Sequence, residues 1–171
     1  MVGYIDRELN TLLTLSKRTD YGLIALAHLA SRPAGTSVSA REIAGEYAIP
    51  VELLAKIMQK LARAGLVTSS SGPSGGYKLS RLPKEISVSS IIEAIDGAPA
   101  FTQCMKIAGN DCEQLSHCNI RRPLARIHSR ILQMLSLITL EEIGDVNSDV
   151  YPVFITMPKS GTLSTNRAAL K

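Results

Sequence analysis

Between residues 53 and 81 the apolar positions recur first with a helical period and then with the pattern of a short hairpin. Leu54, Ile57, Met58 and Leu61 stand at i, i+3, i+4 and i+7, one stripe along a helix. The other face carries Glu52, Ala55, Lys56, Gln59 and Arg63 and is polar and mostly basic. Pro50 is expected at the first helical position, where its missing N–H costs nothing, and Gly65 at the C-terminal stop. Leu66-Val67-Thr68 predicts a strand, Gly72-Pro73-Ser74-Gly75-Gly76 a loop and Tyr77-Lys78-Leu79 a returning strand. Helix, stop and basic-flanked hairpin together predict a winged helix that binds DNA. A winged helix that docks only on protein is the competing reading.

The flanking patterns extend this picture. A helix is expected from Ser16, with Tyr21, Ile24, Ala25 and Leu29 on its stripe, ending before Pro33. Ser39 and Glu42 have the spacing of a capping box and open a helix through Ile43, Ala44 and Tyr47. Ala48-Ile49-Pro50 is the short turn of a helix-turn-helix. After the wing, a further helix is capped by Ser87 or Ser89, runs through Ile95 and stops at Gly97. Periodicity then disappears over residues 101–119. It returns in a long helix from Ile120 or Arg121 to Ile138, whose stripe is Leu124, Ile127, Ile131 and Leu135. That stripe outruns what one winged domain covers, so dimerisation is expected, with packing onto its own domain the alternative. Thr139 and Glu142 form a second capping box, closed by Gly144.

The expected fold is therefore mainly α with a small β-wing, a winged helix-turn-helix plus a long dimerisation helix. Residues 12–84 form the DNA-binding domain, 85–119 the connecting helix and cysteine loop, 120–145 the dimerisation helix and 146–171 a tail. Residues 1–13 read as a short helix or loose extension. The tail, with its apolar patch at Val150-Tyr151-Pro152-Val153-Phe154-Ile155, reads as disordered or as a strap on a partner.

Composition narrows the class. At 171 residues and 45% apolar the chain can fill one core. It has no run of 18 apolar residues, so no membrane span is expected. The first ten residues, M-V-G-Y-I-D-R-E-L-N, lack the apolar core of a signal peptide, and a cytoplasmic protein is expected. Residues 1–84 carry 11 Lys or Arg against 6 Asp or Glu, whereas residues 85–171 carry 8 against 9. The basic excess thus lies in the half with the winged helix, as a polyanion surface requires.

On the recognition helix, Gln59 suits adenine, Lys56 guanine, and Glu52 accepts from cytosine, with Ala55 among them. Lys60, Arg63 and Arg41 are placed for phosphates. In the wing, Ser71, Gly72, Ser74, Gly75 and Lys78 approach the groove, the glycines by their conformational freedom. Tyr77 is expected to pack the base of the wing. Catalysis has little support: the wing glycines lack the Lys-Ser/Thr of a phosphate loop, and no nucleophile–base pair is evident. His28 and His128 fall near apolar stripes and read as structural.

Cys104, Cys112 and Cys118 lie within 15 residues of one another, as C-x7-C-x5-C. An odd count without an export signal argues against a disulfide framework and for metal, cluster or redox use. Zinc knuckles and ribbons need C-x2–4-C pairs, which are absent, and thiolates are the preferred iron–sulfur ligands. Spacing alone leaves a cluster, zinc and free thiols open. His117, Asp111 and Asp20 are candidates for a fourth ligand.

Several motifs together are similar to one family of regulators. L-T-L-S-K-R-T-D-Y-G at 13–22, A-R-A-G-L-V at 62–67, G-P-S-G-G-Y-K-L-S-R at 72–81, I-S-V-S-S-I-I-E-A-I-D-G at 86–97 and three downstream cysteines resemble bacterial transcription regulators of the IscR, NsrR and SufR type. The resemblance spans about residues 12–145. It implies a cytoplasmic homodimer on double-stranded operator DNA, with an iron–sulfur cluster, 2Fe–2S or 4Fe–4S, held by Cys104, Cys112 and Cys118. The wide first cysteine gap looks most like the branch that regulates the SUF assembly operon. A histidine ligand of the IscR-like branch corresponds to Arg121 here and is absent. An acidic ligand from the partner's first helix in the NsrR-like branch matches Asp20. Ser71 stands where the family often has a wing arginine, leaving Lys78 or Arg81 to substitute, and Ala55 where some relatives have a base-reading Glu.

Overall fold

The computed structural model describes residues 15–72, 75–100, 102–105 and 112–144. The element order is α1 (Lys17–Ala30), α2 (Ala40–Glu46), α3 (Val51–Arg63), β1 (Val67–Ser70), β2 (Gly76–Leu79), α4 (Val88–Asp96), α5 (Arg121–Leu137) and α6 (Leu140–Gly144). Single 3-10 turns at Pro83–Glu85 and Gln103–Met105 complete it. The expected extension at 1–13, the wing tip at Ser74, Asp111 and the tail at 146–171 lie outside the described residues.

Local chemistry explains the boundaries. Ser16, Ser39 and Ser87 each accept a backbone N–H three residues on, capping α1, α2 and α4. Pro50 is the N-cap of α3, one position before the first helical place expected of it, and has extended ψ of 120°. At the far end of α3, Gly65 takes a φ of 71°, and Gly65 and Leu66 donate to Ala62 and Leu61. This pair of bonds is a Schellman stop, and Leu61 and Leu66 on either side of it are both buried in the core. The turn between α2 and α3 uses the same device with a side chain in it. Ala48 has a φ of 52°, and Ile49 donates to Ala44 at 2.9 Å.

Helices α1 to α4 enclose one core in which Leu26, Ile43, Leu54, Ile57, Met58, Leu61, Ile91 and Ile95 are fully buried. The stripe read in α3 is the stripe that is buried. β1 and β2 pair antiparallel, with Val67 opposite Leu79 and Ser70 opposite Gly76. Val38 adds a bridge to Tyr77 through bonds of 3.0 and 2.8 Å, which pins the wing to the chain ahead of α2. Tyr77 is half-buried at this base, as the sequence suggested.

His28, buried in the last turn of α1, fastens that helix to the end of α2. Arg32 donates to its Nε2 at 3.3 Å, its Nδ1 lies 3.2 Å from the Tyr47 hydroxyl, and Arg32 meets Glu46 at 3.6 Å. An arginine can only donate, so Nε2 accepts and the proton sits on Nδ1.

Helix α5 leaves this core and packs on α4. None of its residues is fully buried. After it the chain returns: Val88 donates to Ile138 at 2.9 Å and Leu140 to Ile86 at 2.8 Å. Leu140 is fully buried and α6 packs on α1. Residues 139–144, read from sequence as the end of the dimerisation segment, therefore close the core of the winged domain.

Candidate functional site

On α3 the face opposite the core presents Glu52, Lys56, Gln59 and Arg63 to solvent, with Ala55 half-buried between them. Arg41 on α2 and Ser71, Gly72 and Lys78 in the wing are exposed as well. Gly72 has a φ of 120°, a conformation that side chains rarely adopt. Gly75 and Gly76 are half-buried, and a Cβ on Gly76 would stand 2.6 Å from the Val38 carbonyl group. Gly76 thus serves close backbone approach rather than a special turn.

Between the first turn of α2 and the wing lies an open groove of about 530 Å³, lined by Ser39, Ser69, Ser70, Ser71, Gly75 and Tyr77. Its hydroxyls and peptide groups suit a phosphate backbone. Sequence reading of single residues passed over Ser69 and Ser70; the run of three serines before the wing loop was the available signal.

Lys60 departs from expectation. Its ammonium turns away from the polar face of α3 and donates to the Ile95 carbonyl of α4 at 2.5 Å. It satisfies an orphan carbonyl near the C-terminus of α4, where a cation is also favoured by the helix dipole. The adjoining Asp96 accepts the hydroxyls of Ser16 and Thr19, the latter at 2.7 Å, and pairs with Arg18 at 3.3 Å. Burial pushes the Asp96 carboxyl up, but the two hydroxyls, Arg18 and Lys60 outweigh it and hold it below the ordinary value of 3.8. Asp20 is exposed in the same first turn of α1.

From Gly97, whose φ is 87°, the chain enters the cysteine segment. Cys104 sits in the 3-10 turn with its Sγ 3.3 Å from the Thr102 hydroxyl. Cys112 and Cys118 flank a series of turns in which Leu115 and His117 donate to Cys112 and Gln114. All three thiols are free of disulfides and half-buried. Three thiols within 15 residues of sequence fit the donor chemistry of an iron–sulfur cluster. Among the described residues, however, no three Cys, His, Asp or Glu side chains converge closely enough to hold a metal ion. Cys104, Cys112 and Cys118 are thus not gathered about one point, and Asp20 is expected from a second copy of the chain. Thiols do not attract one another, and turns alone do not fix their separation.

The long helix spreads its apolar residues over two neighbouring faces. Of the expected stripe, Leu124, Ile131 and Leu135 are half-buried and only Ile127 is exposed. The large apolar residues left exposed along it are Ile120 (54% exposed), Ile127 (53%), Met134 (48%) and Leu137 (71%). The first three are spaced by seven, the repeat of a helix–helix seam. Arg122, Arg126 and Arg130 are exposed on the same helix.

Comparison with known proteins agrees with this architecture. The Rrf2 family, described as iron-dependent transcriptional regulators, matches residues 15–145. An rrf2-like HTH-type transcriptional regulator of Rhodobacter capsulatus is 31% identical over 136 residues, covering 75% of this chain and 91% of its own. Among solved structures, CymR, the global cysteine regulator of B. subtilis, is 27% identical with a TM-score of 0.60, over 77% of this chain and 96% of its own. IscR of T. potens is likewise 27% identical, with a TM-score of 0.59 over 77% and 85%. No helix among the described residues is long and apolar enough to cross a membrane.

Proposed function

The chain belongs to the Rrf2 family of transcriptional regulators, and from that premise we propose a homodimeric, DNA-binding regulator whose operator affinity follows the state of an iron–sulfur cluster. One observation carries this reading. The same chain presents an exposed polar recognition face beside a glycine wing and, after α4, three unbridged thiols in one short segment.

Gln59, Lys56 and Glu52 reach base edges, while Arg41, Arg63 and the wing hold phosphates. Two copies joined along α5 through Ile120, Ile127, Met134 and Leu137 set two recognition helices on half-sites roughly 34 Å apart. Cys104, Cys112 and Cys118 hold the cluster, with Asp20 of the second copy as the candidate fourth ligand. When bound, such a cluster supplies iron that responds to electron supply, oxidants and nitric oxide. Its three anchor points order residues 104–118, and a small shift in the spacing of the recognition helices alters affinity.

The likeness to CymR supports a second reading, in which the thiols carry zinc or no metal and the winged helix is a cluster-free repressor. The two are distinguished by iron and acid-labile sulfide counts, read together with binding to a duplex that the protein selects from a random library. Its dissociation constant is measured for anaerobically prepared protein before and after chelator treatment. A change of about fivefold or more is expected; equal affinities would leave a regulator without cluster sensing.

A further inference from the structure

Three parts of the molecule meet at the C-terminus of α4. Lys60 comes from the recognition helix and bonds the Ile95 carbonyl at 2.5 Å. Thr19, fully buried, and Ser16 come from the first turn of α1 and bond the Asp96 carboxylate, with Arg18 beside them. Gly22 brings α1 so close to α4 that a Cβ there would overlap Ile95 Cδ1 at 2.2 Å. One residue later, at Gly97, the chain turns through a φ of 87° into the segment that carries the three cysteines. Thus the last turn of α4 is at once the root of the cysteine segment and the anchor of the recognition helix.

We propose that Lys60 and Asp96 are positioning residues that tie α3 to the root of the cysteine segment, so that a displacement of that segment is transmitted to the DNA-reading face. Lys60 lies on α3 between the base-reading and phosphate-reading residues but spends its charge inside the protein. It therefore acts on DNA through the orientation of α3. Asp96 holds the other side of the same turn, so a pull on Gly97 is delivered to α1 and α3 together rather than absorbed by a frayed helix end. The inference rests on the cysteine segment being the sensing element but not on which group its thiols carry.

The test uses the full-length protein, the library-selected duplex, and carbamidomethylation of the reduced cysteines as a bulky perturbation of the segment. In wild type, capping is expected to change the dissociation constant at least about fivefold. In Lys60→Met and Asp96→Asn the factor falls toward one, whereas Lys60→Arg, which keeps a charged donor, retains it. Lys60→Met also leaves the slope of log affinity against log salt unchanged. A loss of about 0.9 from that slope would mark Lys60 as a phosphate contact and overturn its assignment. Variants that keep the full factor, or a wild type indifferent to capping, would overturn the coupling. Iron and sulfide counts report separately on whether the thiols hold a cluster, so the two failures are distinguishable.

Discussion

The Thr19 hydroxyl donates to Asp96 Oδ2 at 2.7 Å, joining the start of α1 to the end of α4 across 77 positions of sequence. The bond is to an ionised acceptor, and it ties the first helix of the winged domain to the last residue before the cysteine segment.

The consequence for stability is a specific acid limb. The Asp96 carboxyl is held below the ordinary 3.8 in the folded protein, so its contribution is complete above that value. It is lost as the pH falls through the lower, folded value. Asp96→Asn is expected to cost about 1–2 kcal/mol near neutral pH, since the pair is partly solvated. Urea unfolding of both proteins between about pH 7 and pH 2 should show this difference shrinking on the acid side. A difference independent of pH would show that the Asp96 charge does not contribute to stability.

Ala48 sits at a φ of 52° in the turn of the helix-turn-helix. An L-residue there carries a left-handed penalty of about 1–2 kcal/mol, part of which glycine returns as unfolded-chain entropy. Ala48→Gly should therefore raise stability by about 0.5–1 kcal/mol, read as a higher urea midpoint at unchanged slope.

Gly76 admits no side chain, because Val38 backbone atoms lie 2.6 Å from where a Cβ would be. Gly76→Ala should lose about 2–3 kcal/mol through overpacking. The Val38–Tyr77 bridge would open, and DNA affinity would fall with it. Thermal denaturation and anisotropy with the selected duplex measure the two effects.

On α5, exposure separates assembly from folding. Ile127→Asp places a charge in the exposed seam and is expected to yield a folded monomer by sedimentation. Leu140→Asp puts a charge in the fully buried core and should prevent folding. A dimer surviving Ile127→Asp would exclude this seam.

Recognition residues should divide by salt dependence. Arg63→Gln is expected to flatten the log–log salt slope by about 0.9. Gln59→Ala should cost about 1–3 kcal/mol on the selected duplex and less on unrelated DNA. Competition binding at two or more salt concentrations distinguishes them.

Much of the fold was legible because it is locally encoded. The Ser39 cap, the reciprocal Thr139–Glu142 box, the glycine stops at 65 and 97 and the buried stripe of α3 all stand where periodicity and capping put them, although Glu42 does not bond back to Ser39. What sequence could not show depends on partners far along the chain. A helical wheel sets Lys60 on the polar flank, but only tertiary packing brings the Ile95 carbonyl within its reach. The apolar residues of α5 likewise form two neighbouring stripes, and a 3-4-4 spacing does not say which one α4 takes. Arg130 interrupts the exposed stripe and masked its seven-residue repeat. Clustered cysteines announced a thiol-based site, yet their spacing in sequence did not determine their spacing in the fold.

Three thiols of one segment are proposed to bind iron and sulfide in a DNA-binding protein. An iron and acid-labile sulfide count on anaerobically purified protein, read with the visible spectrum and repeated on the Cys104→Ala, Cys112→Ala and Cys118→Ala variants, decides this. A coloured wild type with iron and sulfide in comparable amounts is expected, with loss of both in each variant. A colourless wild type free of iron and sulfide, still binding the selected duplex, would contradict the proposal.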